Sequence, residues 1–128
     1  MQKCAEREKA KKEFRDRMRR YIMRLIKFLS FLPRDPVTRE IVSQLTRSGT
    51  SIGANYFEAQ GASSRKDYQN YFSHSLKSSN ESKFWFDVLF DSKMVPNELT
   101  SECQWLAQET EELANIFASS ILTMKERK

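Results

Sequence analysis

An all-α fold, an antiparallel up-down-up-down four-helix bundle, is what this sequence predicts, and three observations predict it. Apolar residues recur at alternating spacings of three and four in four successive segments, the period of one helical face. Glycine and proline, three of each, are too few for the frequent turns of an all-β chain. Short seams separate the segments, so sequential helices are expected to run in opposite directions. At 128 residues the chain fits one domain, since a single core serves roughly 100–150 residues. Nine Phe, four Tyr and two Trp supply bulky core material and argue against disorder.

The first helix is expected over about residues 6–32. Its stripe is Phe14, Met18, Tyr21, Leu25, Phe28 and Leu32. Pro33-Arg34-Asp35-Pro36 breaks the chain, with Asp35 placed to cap a second helix and Pro36 at its permitted first position. That helix, about 36–61, carries Ile41, Leu45, Ser48, Ile52, Asn55 and Ala59 on its stripe and ends near Gly61, suited to a left-handed terminus. Ser64 to Asp67 reads as a capping box with Asp in place of the usual Glu or Gln.

The third helix, about 65–92, has Tyr68, Phe72, Ser75, Ser79, Ser82, Phe86 and Leu89 in register. After Met94-Val95-Pro96-Asn97, the fourth, about 96–125, runs through Leu99, Cys103, Leu106, Thr110, Leu113, Phe117, Ile121 and Met124. Glu98 and Glu102 sit at its start and Lys125, Arg127 and Lys128 at its end, as the helix dipole prefers.

Polar residues interrupt two stripes: Ser48 and Asn55 on the second helix, Ser75, Ser79 and Ser82 on the third. Buried polar groups need partners, at a cost on the order of 1–3 kcal/mol when unmet. A satisfied layer that fixes register is expected, with Glu58 and Glu81 one helical step away. Those two carboxylates are the one candidate acid–base pair, and no nucleophile accompanies them. Gly49 and Gly53 form a smooth patch suited to a close helix crossing, within the bundle or between subunits.

Familiar chemistry is missing from the pattern. His74 is the one histidine, and with Cys4 and Cys103 far apart no paired metal-ligand spacing exists. Both cysteines read as reduced thiols. There is no Gly-rich phosphate loop and no tandem Glu-x-x-His set for a di-iron bundle. Neither an enzyme nor a cofactor is expected. The charged first twenty residues lack a secretory h-region, and Tyr21 to Leu32 is too short to span a bilayer, so a cytoplasmic protein without membrane attachment is expected.

Charge points instead to a binding role. Residues 1–34 carry a net of +8, residues 35–94 balance, and residues 95–128 carry −3. Arg17, Arg20, Arg24 and Lys27 share one face of the first helix, with Lys12, Arg15 and Arg19 on the adjacent face. The bland account is a solvated face whose stems cover apolar surface. The sharper account is a phosphate-tracking stripe of Arg15, Arg17, Arg19, Arg20, Arg24 and Lys27 that binds with little base specificity. The asymmetry also permits head-to-tail attraction between copies or docking of an acidic protein.

Arg47-Ser48-Gly49-Thr50-Ser51-Ile52-Gly53-Ala54-Asn55-Tyr56-Phe57-Glu58-Ala59, followed by Arg65-Lys66-Asp67, Phe72, Leu76-Lys77-Ser78-Ser79-Asn80-Glu81 and Trp85, resembles the four-helix bundle family of bacterial large-subunit rRNA intervening-sequence proteins. The resemblance spans about residues 14–124. A related family is the accessory variability determinant of diversity-generating retroelements, a homopentameric ring that binds nucleic acid and a reverse transcriptase. The resemblance implies an antiparallel bundle, a homopentamer and a nucleic-acid-associated role, and as a partner RNA is expected before DNA. It implies no catalytic residues. Ser51, Asn55, Glu58 and Glu81 match recurrent polar positions of the family and carry over as structural or interface residues.

Overall fold

The computed structural model describes residues 2–127. They form four long helices, α1 (Gln2–Ser30), α2 (Pro36–Gln60), α3 (Arg65–Asp91) and α4 (Thr100–Glu126), with a 3-10 turn at Asn97–Leu99. No strand occurs among the described residues. Lys128, assigned by the sequence to the end of the last helix, lies outside them.

Each helix starts where local chemistry dictates. Asp35 accepts the backbone N–H of Thr38 at 3.1 Å and its hydroxyl at 2.7 Å, and Pro36 follows at the first turn. These bonds hold the Asp35 carboxyl below its ordinary range. Ser64 accepts the Asp67 N–H at 3.0 Å, while Asp67 reaches back to the N–H of Ser63 at 3.2 Å. Residues 97–99 form the 3-10 turn before α4, so that helix begins at Thr100 rather than near residue 96.

The helix ends differ from expectation in one respect. Gly61 sits at φ −103°, outside the left-handed region, and donates to the Glu58 carbonyl at 3.1 Å. The left-handed residue is Lys93 at φ 56°, where Lys93 and Met94 N–H groups satisfy the Phe90 and Leu89 carbonyls at the end of α3.

The four stripes converge on one core. Tyr21, Phe28, Phe86 and Phe117 are its largest fully buried side chains, joined by Met18, Leu25, Leu45, Ile52, Leu89, Leu106 and Leu113. Burying each such apolar side chain contributes about 1.5–3 kcal/mol. On α2 the expected Asn55 position is half-buried, and Tyr56 fills the core instead. The reason is geometric: Gly49 and Gly53 are buried under α1, which widens the inward face of α2 toward the Gly49–Gly53–Tyr56 side while Ile41, Leu45, Ser48, Ile52 and Ala59 stay buried. A Cβ on Gly49 would stand 2.2 Å from the Leu25 Cδ2, and one on Gly53 2.3 Å from the Ile22 Cδ1. The glycine patch therefore serves a helix crossing inside the chain.

Polar atoms in the core are satisfied. Ser48 and Ser82 share a hydroxyl bond of 2.8 Å, and Ser82 also donates to the Ser78 carbonyl. Ser75 donates to the Ile52 carbonyl across to α2 at 2.9 Å, and Ser79 to the Ser75 carbonyl at 2.8 Å. Tyr21 and Thr110 join α1 to α4 at 2.6 Å, and burial raises the Tyr21 hydroxyl pKa well above its ordinary value. Small hydroxyl residues thus let α2 and α3 approach, and α3 packs more closely on α2 and α4 than α1 does on either neighbour. Cys103 is buried, and burial pushes its thiol pKa up to about 12, which disfavours the thiolate.

Candidate nucleic-acid interface

The α1 cations divide into two groups. Arg17 forks onto Glu109 of α4, with Nε to Oε2 at 2.8 Å and Nη2 to Oε1 at 2.9 Å, and also reaches Glu112 at 3.3 Å. Seven residues on, Arg24 forks onto Glu102, with Nε to Oε2 at 2.9 Å. The Arg24 guanidinium also lies over the Trp105 ring, its Cζ 3.4 Å from the centroid. The Glu109 and Glu102 contacts raise the pKa of Arg17 and Arg24 respectively, and Arg24 holds the Glu102 carboxyl below its ordinary range.

Arg17 and Arg24 therefore hold α1 against α4. A phosphate would have to displace buried Glu109 to engage Arg17. The remaining predicted residues are differently placed: Arg15, Arg19, Arg20 and Lys27 are exposed, and no ion pair is formed by any of them among the described residues. They flank Met23 and Ile26, which are 67% and 47% exposed. At residues 2–13 the helix runs on with every position exposed. Loose pairs such as Lys9–Glu13 at 4.0 Å decorate it, worth about 0.3–0.5 kcal/mol each.

Pairing also consumes the acidic side of the charge asymmetry. Glu102, Glu109 and Glu112 face α1 arginines, and Glu111 pairs with Lys83 of α3 at 2.6 Å. The acidity of α4 is thus largely neutralised within the chain, which weakens the basis for head-to-tail attraction. Trp105, Glu109 and Glu112 do not stand out in the sequence, and Glu102 does so only as an acidic residue at a helix start. The signal was available, because Arg17 and Arg24 are seven apart and so are Glu102 and Glu109.

The α2–α3 polar residues form a separate group. Asn55 donates to the Ser51 carbonyl and hydroxyl, both at 2.9 Å, and Ser78 donates to the Ser51 hydroxyl at 2.9 Å. Glu81 accepts from Arg47 and, at 3.1 Å, from the Trp85 indole. Glu58 is exposed and shares no hydrogen bond with Glu81. The two carboxylates are not assembled as an acid–base pair. His74 is exposed, and among the described residues no group of three or more His, Cys, Asp or Glu side chains could hold a metal ion. No helix among them is long and apolar enough to cross a membrane.

Comparison with known proteins places this arrangement in context. Among curated proteins, none matches the chain. A solved structure from Bacteroides thetaiotaomicron, of a protein with unknown function from the S23 ribosomal protein family, is similar with a TM-score of 0.74. It shares 29% sequence identity and covers 84% of this chain and 96% of its own. Residues 10–118 match the family of 23S rRNA-intervening sequence proteins. That span takes in most of α1, all of α2 and α3, and α4 through Ala118, so the chain belongs to the 23S rRNA-intervening sequence protein family.

Proposed function

We propose that this protein is a non-enzymatic, basic, oligomeric adaptor that binds nucleic acid, RNA in preference to DNA, through the outward face of α1. The observation that carries the reading is the set of exposed cations without ion pairs, Arg15, Arg19, Arg20 and Lys27, on a helix held in place by other arginines. Guanidinium groups bind phosphate in a bidentate fork, and a stripe of them tracks a backbone without reading bases. An antiparallel up-down-up-down bundle is supported by the contact pairs. Arg17–Glu109 and Arg24–Glu102 run in opposite senses along α1 and α4, as do Ser48–Ser82 and Ile52–Ser75 along α2 and α3.

Assembly as a homopentamer in the cytoplasm, serving RNA or an RNA–protein complex, is part of the same proposal. Service as accessory to the reverse transcriptase of a diversity-generating retroelement is the narrower form of the same reading. Binding of structured RNA and duplex DNA across a salt series, with assembly mass from light scattering, tests it. Micromolar or tighter RNA binding with a steep salt slope is expected, and no binding at low salt rejects it.

A second reading rests on Met23 and Ile26. Exposed apolar side chains among arginines suit a protein partner, as interface cores favour Arg and large apolar groups. In that case the chain is a protein-interaction or structural module encoded in an rRNA insert, without direct nucleic-acid contact. Tight binding to one acidic protein with negligible RNA affinity would favour it.

A further inference from the structure

Between the N-terminal half of α1, the C-terminal end of α4 and the ends of α2 and α3 that their connection joins, a cleft of about 480 Å³ opens to solvent. That volume lies within the ~300–1,000 Å³ of small-molecule sites. Four aromatic side chains line it: Phe14, Tyr56, Tyr68 and Phe72. Tyr68 and Phe72 stack with centroids 4.6 Å apart and planes at 28°, whereas Phe14 meets Tyr56 edge-on at 4.9 Å. Phe72 is fixed from behind by Phe117 at 5.3 Å. These ring contacts support the platform, and Tyr68, half-buried and stacked on Phe72, lines the opening.

Hydroxyl groups and cations complete the surroundings. Ser119, Ser120 and Thr123 of α4 line the cleft, as does Lys11 of α1. Exposed Arg65 donates to the carbonyl of Met124, a lining residue, at 3.5 Å. Arg15 is close enough to Tyr56 for its charge to offset part of the rise that burial imposes on that hydroxyl. An open, aromatic-lined cleft with hydroxyl hydrogen-bonding groups and cations nearby matches a nucleobase joined to phosphate. An acyl chain would leave the hydroxyls and cations unmatched.

We propose that this cleft takes one unstacked base of a single-stranded RNA, stacked on Tyr68, with the adjoining phosphate on Arg15, Lys11 or Arg65. The inference rests on the nucleic-acid reading above and extends it, since it adds a single-strand contact to a face that otherwise follows phosphates. Stacking platforms of this kind tolerate any base and lose roughly tenfold in affinity when the ring is removed.

Two probes separate the two ideas. Adenosine 5′-monophosphate tests the cleft alone, by saturation transfer from aromatic protein protons. Single-stranded RNA carrying 2-aminopurine tests the cleft within a chain, by quenching. Transfer and quenching are expected in the natural protein, lost in Tyr68→Leu and retained in Tyr68→Phe, with the RNA salt slope little changed. Arg65→Glu, at an exposed site, should weaken both signals without touching the core. Absence of transfer in the natural protein, or transfer unchanged in Tyr68→Leu, overturns the proposal. A change of assembly mass in Tyr68→Leu also overturns it, because a second copy then fills the cleft. RNA binding without nucleotide in the cleft fails the cleft alone, and nucleotide in the cleft without RNA binding fails the adaptor reading alone.

Discussion

Arg17 of α1 and Glu109 of α4 form a two-point fork at 2.8 and 2.9 Å, with Glu109 8% exposed and the Arg17 side chain 28% exposed. The pair makes a cation from the most basic segment part of the scaffold. Removing one partner leaves a buried charge alone. Arg17→Ala should cost about 3 kcal/mol in denaturant unfolding, and adding Glu109→Leu should recover much of that loss. A cost below about 1 kcal/mol would mean that the Arg17–Glu109 pair does not hold α1 to α4.

Ser48 and Ser82 should behave as a coupled unit. Ser82→Ala strips a partner from a buried hydroxyl and is expected to cost about 1 kcal/mol. The double change Ser48→Ala and Ser82→Ala should cost less than the two singles summed, by about 0.5 kcal/mol or more in a double-mutant cycle. Strict additivity would show that the bond does not fix the α2–α3 crossing.

Much of this was legible in the sequence, and the exceptions have physical causes. Three-four periodicity placed Phe72, Ser75, Ser79, Ser82, Phe86 and Leu89 inward on α3, where they lie. On α2 the same rule chose Asn55, yet Tyr56 is buried, because Gly49 and Gly53 admit α1 on the flank. A periodic count weighs side chains, so it undervalues a face made of glycine. The stripe of α1 was visible as charge, but which arginines remain unpaired depended on carboxylates 78 to 95 residues away. Heptad spacing of Arg17 and Arg24 against Glu102 and Glu109 was the available clue. Gly61 was expected to take the left-handed position, whereas Lys93 occupies one, and no sequence preference marks a lysine for that role.

Lys93 should therefore be a site of easy stabilisation. A left-handed conformation strains an L side chain and suits glycine, so Lys93→Gly is expected to add about 0.5–1 kcal/mol and raise Tm. An unchanged or lower Tm would indicate that the lysine side chain compensates.

Acid should loosen the α1–α4 seam. Arg24 lowers the Glu102 pKa in the folded state below the ordinary value of 4.5. A carboxyl depressed on folding stabilises the fold above its unfolded pKa, and this is lost as pH falls through the folded pKa. Tm should therefore fall as pH drops below about 4.5, with Asp35 contributing in the same direction. The Arg24→Gln protein should show a flatter decline, and identical acid profiles would remove the pair as a cause.

The measurement that bears most directly on the adaptor reading compares RNA binding by the natural protein with a fourfold variant, Arg15→Gln, Arg19→Gln, Arg20→Gln and Lys27→Gln, across a salt series. All four side chains are exposed and outside the ion pairs, so thermal stability should be retained. Affinity should fall and the log–log salt slope should flatten by roughly three to four. Equal affinity and slope in a folded variant would contradict the account and place any nucleic-acid contact away from α1.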